Sequence, residues 1–257
     1  MGQYKDIQVN IERRIGLITI HRPDRMNALA KSTFSELVDA SLMLDADPDV
    51  RVVIFTGSGE RAFSAGVDLK ELNDDGRMVH PMGGPSRNLN EIVLEMTKPT
   101  IAAINGVAAG GGCELALACD IRIASSNARI GLPEAKVGMG ANFGSAVLPR
   151  LILRGAALEM LFTGELLCAQ DAYRVGLINH VIEPGEILEY AHELAIRIAD
   201  NAPLSTQRMK AVATKGIDLP IAAALRLSVG PDLYNSEDRT EGARAFIEKR
   251  KPHFIGR

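Results

Sequence analysis

The chain has 257 residues, of which 46% are hydrophobic and 24% charged, with a formal net charge of −3, so it is long enough for one large core or two unequal domains and too apolar for overall disorder. The near balance of charge gives no basis for nucleic-acid binding as the main task, since phosphate-backbone binding rests on a basic surface. Aromatic residues make up only 4% and tryptophan is absent, so the core must be built from Ala, Val, Ile and Leu.

In chain order, Ile7 to Arg13 and Gly16 to His21 are predicted as a strand pair around a short turn. Lys31 to Asp45 carries Phe34, Leu37, Val38 and Leu42 at helical spacing, with Ser32 as its N-cap. Val50 to Thr56 is predicted as a buried strand. Asn73 to Asn90, broken by Asp74-Asp75-Gly76 and Pro81-Met82-Gly83-Gly84-Pro85, reads as a mobile surface loop. Glu91 to Met96 is predicted to be helical and to stop before Pro99, because the residue preceding proline is pushed out of helical geometry. A strand at Thr100 to Asn105, a helix around Glu114, and strands at Ile121 to Ala124 and Ala128 to Ile130 follow. Such alternation argues an α/β class with parallel strands, but does not separate a doubly wound sheet from a coiled stack of ββα turns. From about Tyr190 the pattern is helical, at Ala191 to Ala199, Leu204 to Thr214 and Ile221 to Ser228.

Two segments carry the chemistry. In Asn105 to Asp120, three glycines (Gly110, Gly111, Gly112) stand directly before a helical pattern, with Glu114 in its first turn. Glycines let backbone approach a ligand closely, and the free N–H groups of a helix start favour an anion. A carboxylate there points to acid/base work on a carbonyl compound whose oxygen gains charge during reaction. The second segment, Ala62-Phe63-Ser64-Ala65-Gly66-Val67-Asp68-Leu69-Lys70, follows the apolar run Val52 to Phe55 and offers another backbone donor. An oxyanion hole needs two.

These segments, together with Arg22-Pro23-Asp24-Arg25-Met26-Asn27-Ala28-Leu29 and the tail Thr240 to Pro252, strongly resemble the enoyl-CoA hydratase/isomerase (crotonase) superfamily over nearly the whole chain. The resemblance implies a spiral of repeated ββα units over residues 1–195 and a helical trimerisation domain over 196–257. It implies a homotrimer or dimer of trimers acting on an acyl-CoA thioester, with coenzyme A as part of the substrate and no separate cofactor. By resemblance the N–H groups of Val67 and Gly111 polarise the thioester carbonyl, Glu114 orients and deprotonates water, and Glu134 protonates the α-carbon. Ala65, Asp68, Leu69, Arg25, Lys70, Asn142 and Phe143 are the implied substrate-binding positions, and Phe246 and Lys249 are candidates for the adenine end. Both glutamates are present, which favours hydration to a 3-hydroxyacyl-CoA over isomerisation or thioester or C–C bond hydrolysis, and over a non-catalytic or RNA-binding relative.

Each feature also has a plainer reading. Glu134 after Pro133 is, taken alone, a first-turn carboxylate favoured by the helix dipole. Glu114 alone is a solvated helix-start charge, and Arg25 and Lys70 alone are solvated surface cations. Their joint placement in ordered motifs favours the acid/base reading. The match departs where hydratases commonly carry Gly-x-x-Pro-Gly-x-Gly-Gly-Thr: this chain reads Gly138-Met139-Gly140-Ala141-Asn142-Phe143-Gly144-Ser145. Asn142 there either bonds a polar acyl group or serves a left-handed turn, and the turn is favoured. Gly57-Ser58-Gly59 lacks the rest of a P-loop, and Gly106 to Gly112 lacks dinucleotide spacing. The three cysteines (113, 119, 168) form no C-x-x-C pair and the five histidines show no ligand spacing, so no metal is expected. Lys5, Asp6, Glu12, Arg13 and Arg14 exclude the apolar core of a secretory signal, and no apolar stretch spans a bilayer. A cytoplasmic setting with no membrane and no nucleic-acid partner is expected.

Overall fold

The structure, a computed structural model, describes residues 4–70 and 87–257. The predicted mobile loop therefore lies largely outside the described residues.

Strands β1 (Ile7–Glu12) and β2 (Ile15–Ile20) pair antiparallel, with Glu12 opposite Ile15, so that only Arg13 and Arg14 form the turn. Helix α1 (Lys31–Ala46) follows a 3₁₀ turn at Pro23–Arg25. Its N-cap is Ala30, not Ser32; the Ser32 hydroxyl instead donates to Asp6 at 2.5 Å. Then come β3 (Val52–Gly57), β4 (Ala62–Ser64), α2 (Leu89–Glu95), β5 (Thr100–Ile104), β6 (Val107–Ala109), α3 (Gly111–Ala118), β7 (Ile121–Ser125) and β8 (Arg129–Gly131). Helix α2 starts two residues before the predicted Glu91, because Asn88 and Glu91 cap each other reciprocally.

Strand pairing decides between the two α/β architectures. One sheet has six strands in the order β1-β2-β3-β5-β7-β10, parallel from β2 onward, with β10 at His180–Ile182. The other has four, β4-β6-β8-β9, with β9 at Leu167–Cys168. Consecutive strands β3/β4, β5/β6 and β7/β8 thus each give one member to each sheet, and the chain advances as a spiral of ββα turns.

Alternation along the central strands fills two cores. Val53, Phe55, Ala102, Ile104 and Ala124 face one, with α1 and α3; Val52, Ile54, Ile101, Ala103 and Ile123 face the other, with Ile187, Ala191, Ala195 and Ala199 of α7 (Ile187–Ala199). A parallel sheet covered on both faces needs this continuous apolar content. The boundary expected at 195/196 falls inside α7, which packs on the sheet through Ala199.

Between the sheets' end and α7 lie α4 (Asn142–Leu151), α5 (Arg154–Thr163) and α6 (Ala169–Arg174). The tail holds α8 (Pro203–Gly216), a single turn α9 (Ile221–Ala224) in place of the predicted helix to Ser228, and α10 (Glu237–Glu248). Helix α10 begins at Ser236, whose hydroxyl accepts from the N–H of Arg239 at 3.1 Å.

Candidate active site

The site forms where the C-terminal ends of β3 and β5 hand over to the second sheet. Two buried asparagines shape that corner. Asn105 accepts from the Gly57 N–H at 3.1 Å and donates to Gly59 O (2.6 Å) and Ala62 O (3.1 Å), while Asn27 donates to Ala62 O (2.7 Å) and Ser58 O (3.0 Å). These side chains satisfy turn carbonyls that the strand ladders leave unpaired.

Leu29 and Val67 form an isolated parallel bridge, with the Leu29 N–H donating to Gly66 O (2.8 Å) and the Asp68 N–H to Leu29 O (3.0 Å). Because successive amides of extended backbone face opposite sides, the Val67 N–H points away from Leu29, toward the start of α3. Gly110 is the N-cap of α3, at φ 55° and ψ −127°, a conformation open to glycine. A Cβ on Gly111 would lie 3.7 Å from Val67 N, and one on Gly66 (φ 90°) would lie 3.1 Å from Gly111 N and 2.6 Å from Ala109 O. The two turns touch only because both lack side chains. Among the described residues neither the Val67 nor the Gly111 N–H donates to a protein acceptor.

Glu114 sits in the first turn of α3, and its Oε1 accepts from the Gly144 N–H at 2.9 Å. Burial pushes its carboxyl up to about 7; the Gly144 N–H opposes this, the nearby Glu134 carboxylate reinforces it, and the Phe143 N–H opposes it. Glu134 lies in a 3₁₀ turn, Pro133–Val137, that ends at left-handed Gly138 (φ 71°). Burial raises its carboxyl too, against a bond from its own backbone N–H. Oε1 of Glu134 would lie 3.3 Å from a Cβ on Gly110, at the start of the helix that carries Glu114, and Oε2 is buried without a protein partner.

Gly144 couples the pair. Its N–H holds Glu114, and a Cβ there would come within 2.6 Å of Leu132 Cδ1, on the strand end leading into Glu134. This stretch departs from the family's motif and carries no periodic signal for a helix start, so the roles of the Phe143 and Gly144 amides are visible only in the fold. Asn142 is the first residue of α4 and has no positive φ, which corrects the left-handed turn expected at that position; Gly138 supplies it instead.

The other expected positions divide. Ala65, Leu69 and Lys70 are exposed beside Val67, and Arg25 is exposed on its 3₁₀ turn. Asp68 is only 8% exposed, and its carboxylate is engaged by Arg22 at 3.2 Å and by the Lys70 N–H at 3.3 Å. Phe143 is 4% exposed, its ring in the core, so only its backbone reaches Glu114. Phe246 lies exposed on α10 and Lys249, also exposed, is its left-handed C-cap. Cys113 is fully enclosed, and burial pushes its thiol up, which leaves it protonated and unsuited to nucleophilic attack.

The sequence profile of the enoyl-CoA hydratase/isomerase family matches residues 10–257. The chain is similar to crotonyl-CoA hydratase from Syntrophomonas wolfei (38% identity, 99% of each chain) and to (E)-benzylidenesuccinyl-CoA hydratase from Thauera aromatica (38% identity, 97% of this chain and 99% of the relative). It is also similar to the crystal structure of enoyl-CoA hydratase from Bacillus anthracis, with a TM-score of 0.90 and 34% identity over 98% of this chain and all of that one.

Proposed function

The chain belongs to the enoyl-CoA hydratase/isomerase family, and from that premise we propose that it adds water to a trans-2-enoyl-CoA to give a 3-hydroxyacyl-CoA. The thioester oxygen is held by the N–H groups of Val67 and Gly111. Glu114, as carboxylate, takes a proton from water while the hydroxide oxygen bonds to C3. The electron pair of the C2–C3 double bond moves onto the thioester as an enolate, and its collapse takes a proton at C2 from Glu134. Water is consumed and no redox equivalent is needed, so the only coenzyme is the one the substrate carries.

One observation carries this reading: a half-buried carboxylate pair with raised proton affinity, one oxygen of which is buried with no protein partner, lies beside two turns that approach closely only because Gly66 and Gly111 lack side chains. A general acid and a general base working near neutral pH need such raised values, and unpaired amides stabilise developing oxyanion charge. Arg25 and Lys70, exposed on the turns flanking Val67, suit the phosphates of coenzyme A, with Ala65 and Leu69 along the pantetheine. The exposed apolar side chains of the tail support a homotrimer or dimer of trimers. Three free cysteines suit a reducing cytoplasmic setting, and the reaction fits a step of fatty-acyl β-oxidation.

The test is turnover of crotonyl-CoA, followed by loss of the conjugated-thioester absorbance and by product mass, where hydration adds one water and isomerisation none. Glu114→Gln and Glu134→Gln are each expected to lose about 100-fold or more. Parental rates in both variants refute the mechanism.

A further inference from the structure

We infer that the chain carries a second anion site, for a diphosphate group, at the opposite end of the large sheet from the acid/base pair. Arg14 and Arg51 immediately precede the parallel strands β2 and β3, whereas Glu114 comes after the far end of β5 and Glu134 after the far end of β7. Six residues of strand put about 20 Å between the two ends. A cavity of about 440 Å³ opens there between the β1–β2 turn, the end of α7 and the C-terminal segment. Arg13, Arg14, Arg51 and Lys251 line it; Asp200 pairs with Lys251 at 2.7 Å and Glu12 lies 3.7 Å from Arg13, which leaves a local excess of two positive charges in a chain whose formal charge is −3. Low-dielectric walls focus such a field on a small polyanion.

The turn supplies an independent observation. A type I′ two-residue hairpin needs positive φ at both positions and is ordinarily filled by Asn-Gly. Here Arg13 and Arg14 take φ 50° and 67°. Two arginines held left-handed are strained, and such strain persists where side-chain placement is used. Packing does not account for both. Arg51 donates to Ala199 O at 2.7 Å and to Phe254 O, and Arg14 reaches Phe254 O at 3.3 Å, so those two also tie down the C-terminal segment. Arg13 meets only Glu12, at 3.7 Å, among the described residues, and its guanidinium fork is left to a ligand. Paired guanidinium forks match phosphate oxygens bidentately.

The experiment is calorimetric titration of the full-length protein with inorganic pyrophosphate at low salt, in the parent, Arg13→Asn/Arg14→Gly, and Arg25→Ala. The parent is expected to bind saturably, with one site per chain that survives Arg25→Ala. The double variant, which installs the residues the turn favours, is expected to weaken binding by about tenfold or more, to melt at higher temperature, and to keep its crotonyl-CoA turnover. Arg13→Gln breaks no bond to Phe254 and should weaken binding with an unchanged melting temperature, which keeps the test valid if the double variant folds poorly. No saturable binding, or binding lost in Arg25→Ala and retained in both turn variants, overturns the proposal. Turnover assays stand apart from this result, so the site and the hydratase reading fail independently.

Discussion

At the scale of single residues, the proton affinity of Glu114 sets both rate and stability against pH. Its carboxyl is raised from 4.5 to about 7, chiefly by burial. A base must be ionised and an acid protonated, so kcat/KM for crotonyl-CoA is expected to climb as pH rises toward 7 and to fall again once Glu134 loses its proton. The stability sign is opposite. Between about 4.5 and 7 the native state binds the proton that the unfolded state has released, so unfolding becomes easier as pH rises through that window. Glu114→Gln removes the buried charge without the carbonyl that accepts from Gly144. Thermal denaturation should therefore find the variant more stable than the parent at pH 8 and similar at pH 4.5, with equal melting curves at both values as the contrary result. The glutamates and the glycine turns were legible in the sequence because their chemistry depends on residue type and order. The unpaired oxygen of Glu134 and the engagement of Asp68 by Arg22 were not, because each depends on which side chain happens to lie opposite in space.

At the scale of elements, the start of α4 holds the acid/base pair together. Gly144 matters for packing, not for backbone freedom: its φ is not positive, but a Cβ would come within 2.6 Å of Cδ1 of the buried Leu132, whose side chain would have to move. Gly144→Ala is expected to push α4 away from the Leu132–Glu134 strand end, lengthen the bond to Glu114, and lower kcat by about tenfold or more with little change in KM, since a small misplacement of reacting groups is costly. Stability should fall by about 1–3 kcal/mol, as overpacking does. Steady-state kinetics with urea denaturation measure both, and a parental kcat would show that α4 does not position Glu114. Periodicity found the strands and α1 because burial on one face repeats along the chain. It failed for α4, since Gly-rich Gly138 to Ser145 carries little apolar signal, and for Ile221 to Ser228, where solvent faces nearly every side chain and no packing extends the turn.

At the scale of the whole molecule, the tail is fastened to the spiral in one orientation. Lys210 of α8, nearly buried, donates to Lys98 O at 2.9 Å and pairs with Asp120 at 2.7 Å, while Asp120 also accepts from the N–H and hydroxyl of Thr100. This clamp joins α8 to the start of β5 and the end of α3. Beyond it, Ile221 and Leu225, at the two ends of α9, are 74% and 76% exposed. Side chains of this size gain about 1.5–3 kcal/mol each on full burial, and an exposed apolar pair on a fastened element marks an interface. The proposed assembly therefore predicts sedimentation at three or six times the 27.6 kDa chain mass. Ile221→Lys/Leu225→Lys should shift it to the monomer, because charges forced into an apolar contact lose hydration without gaining a partner. Circular dichroism of that variant should match the parent, since neither side chain packs within its own chain. An unchanged sedimentation coefficient would mean that copies of the chain meet through some other surface.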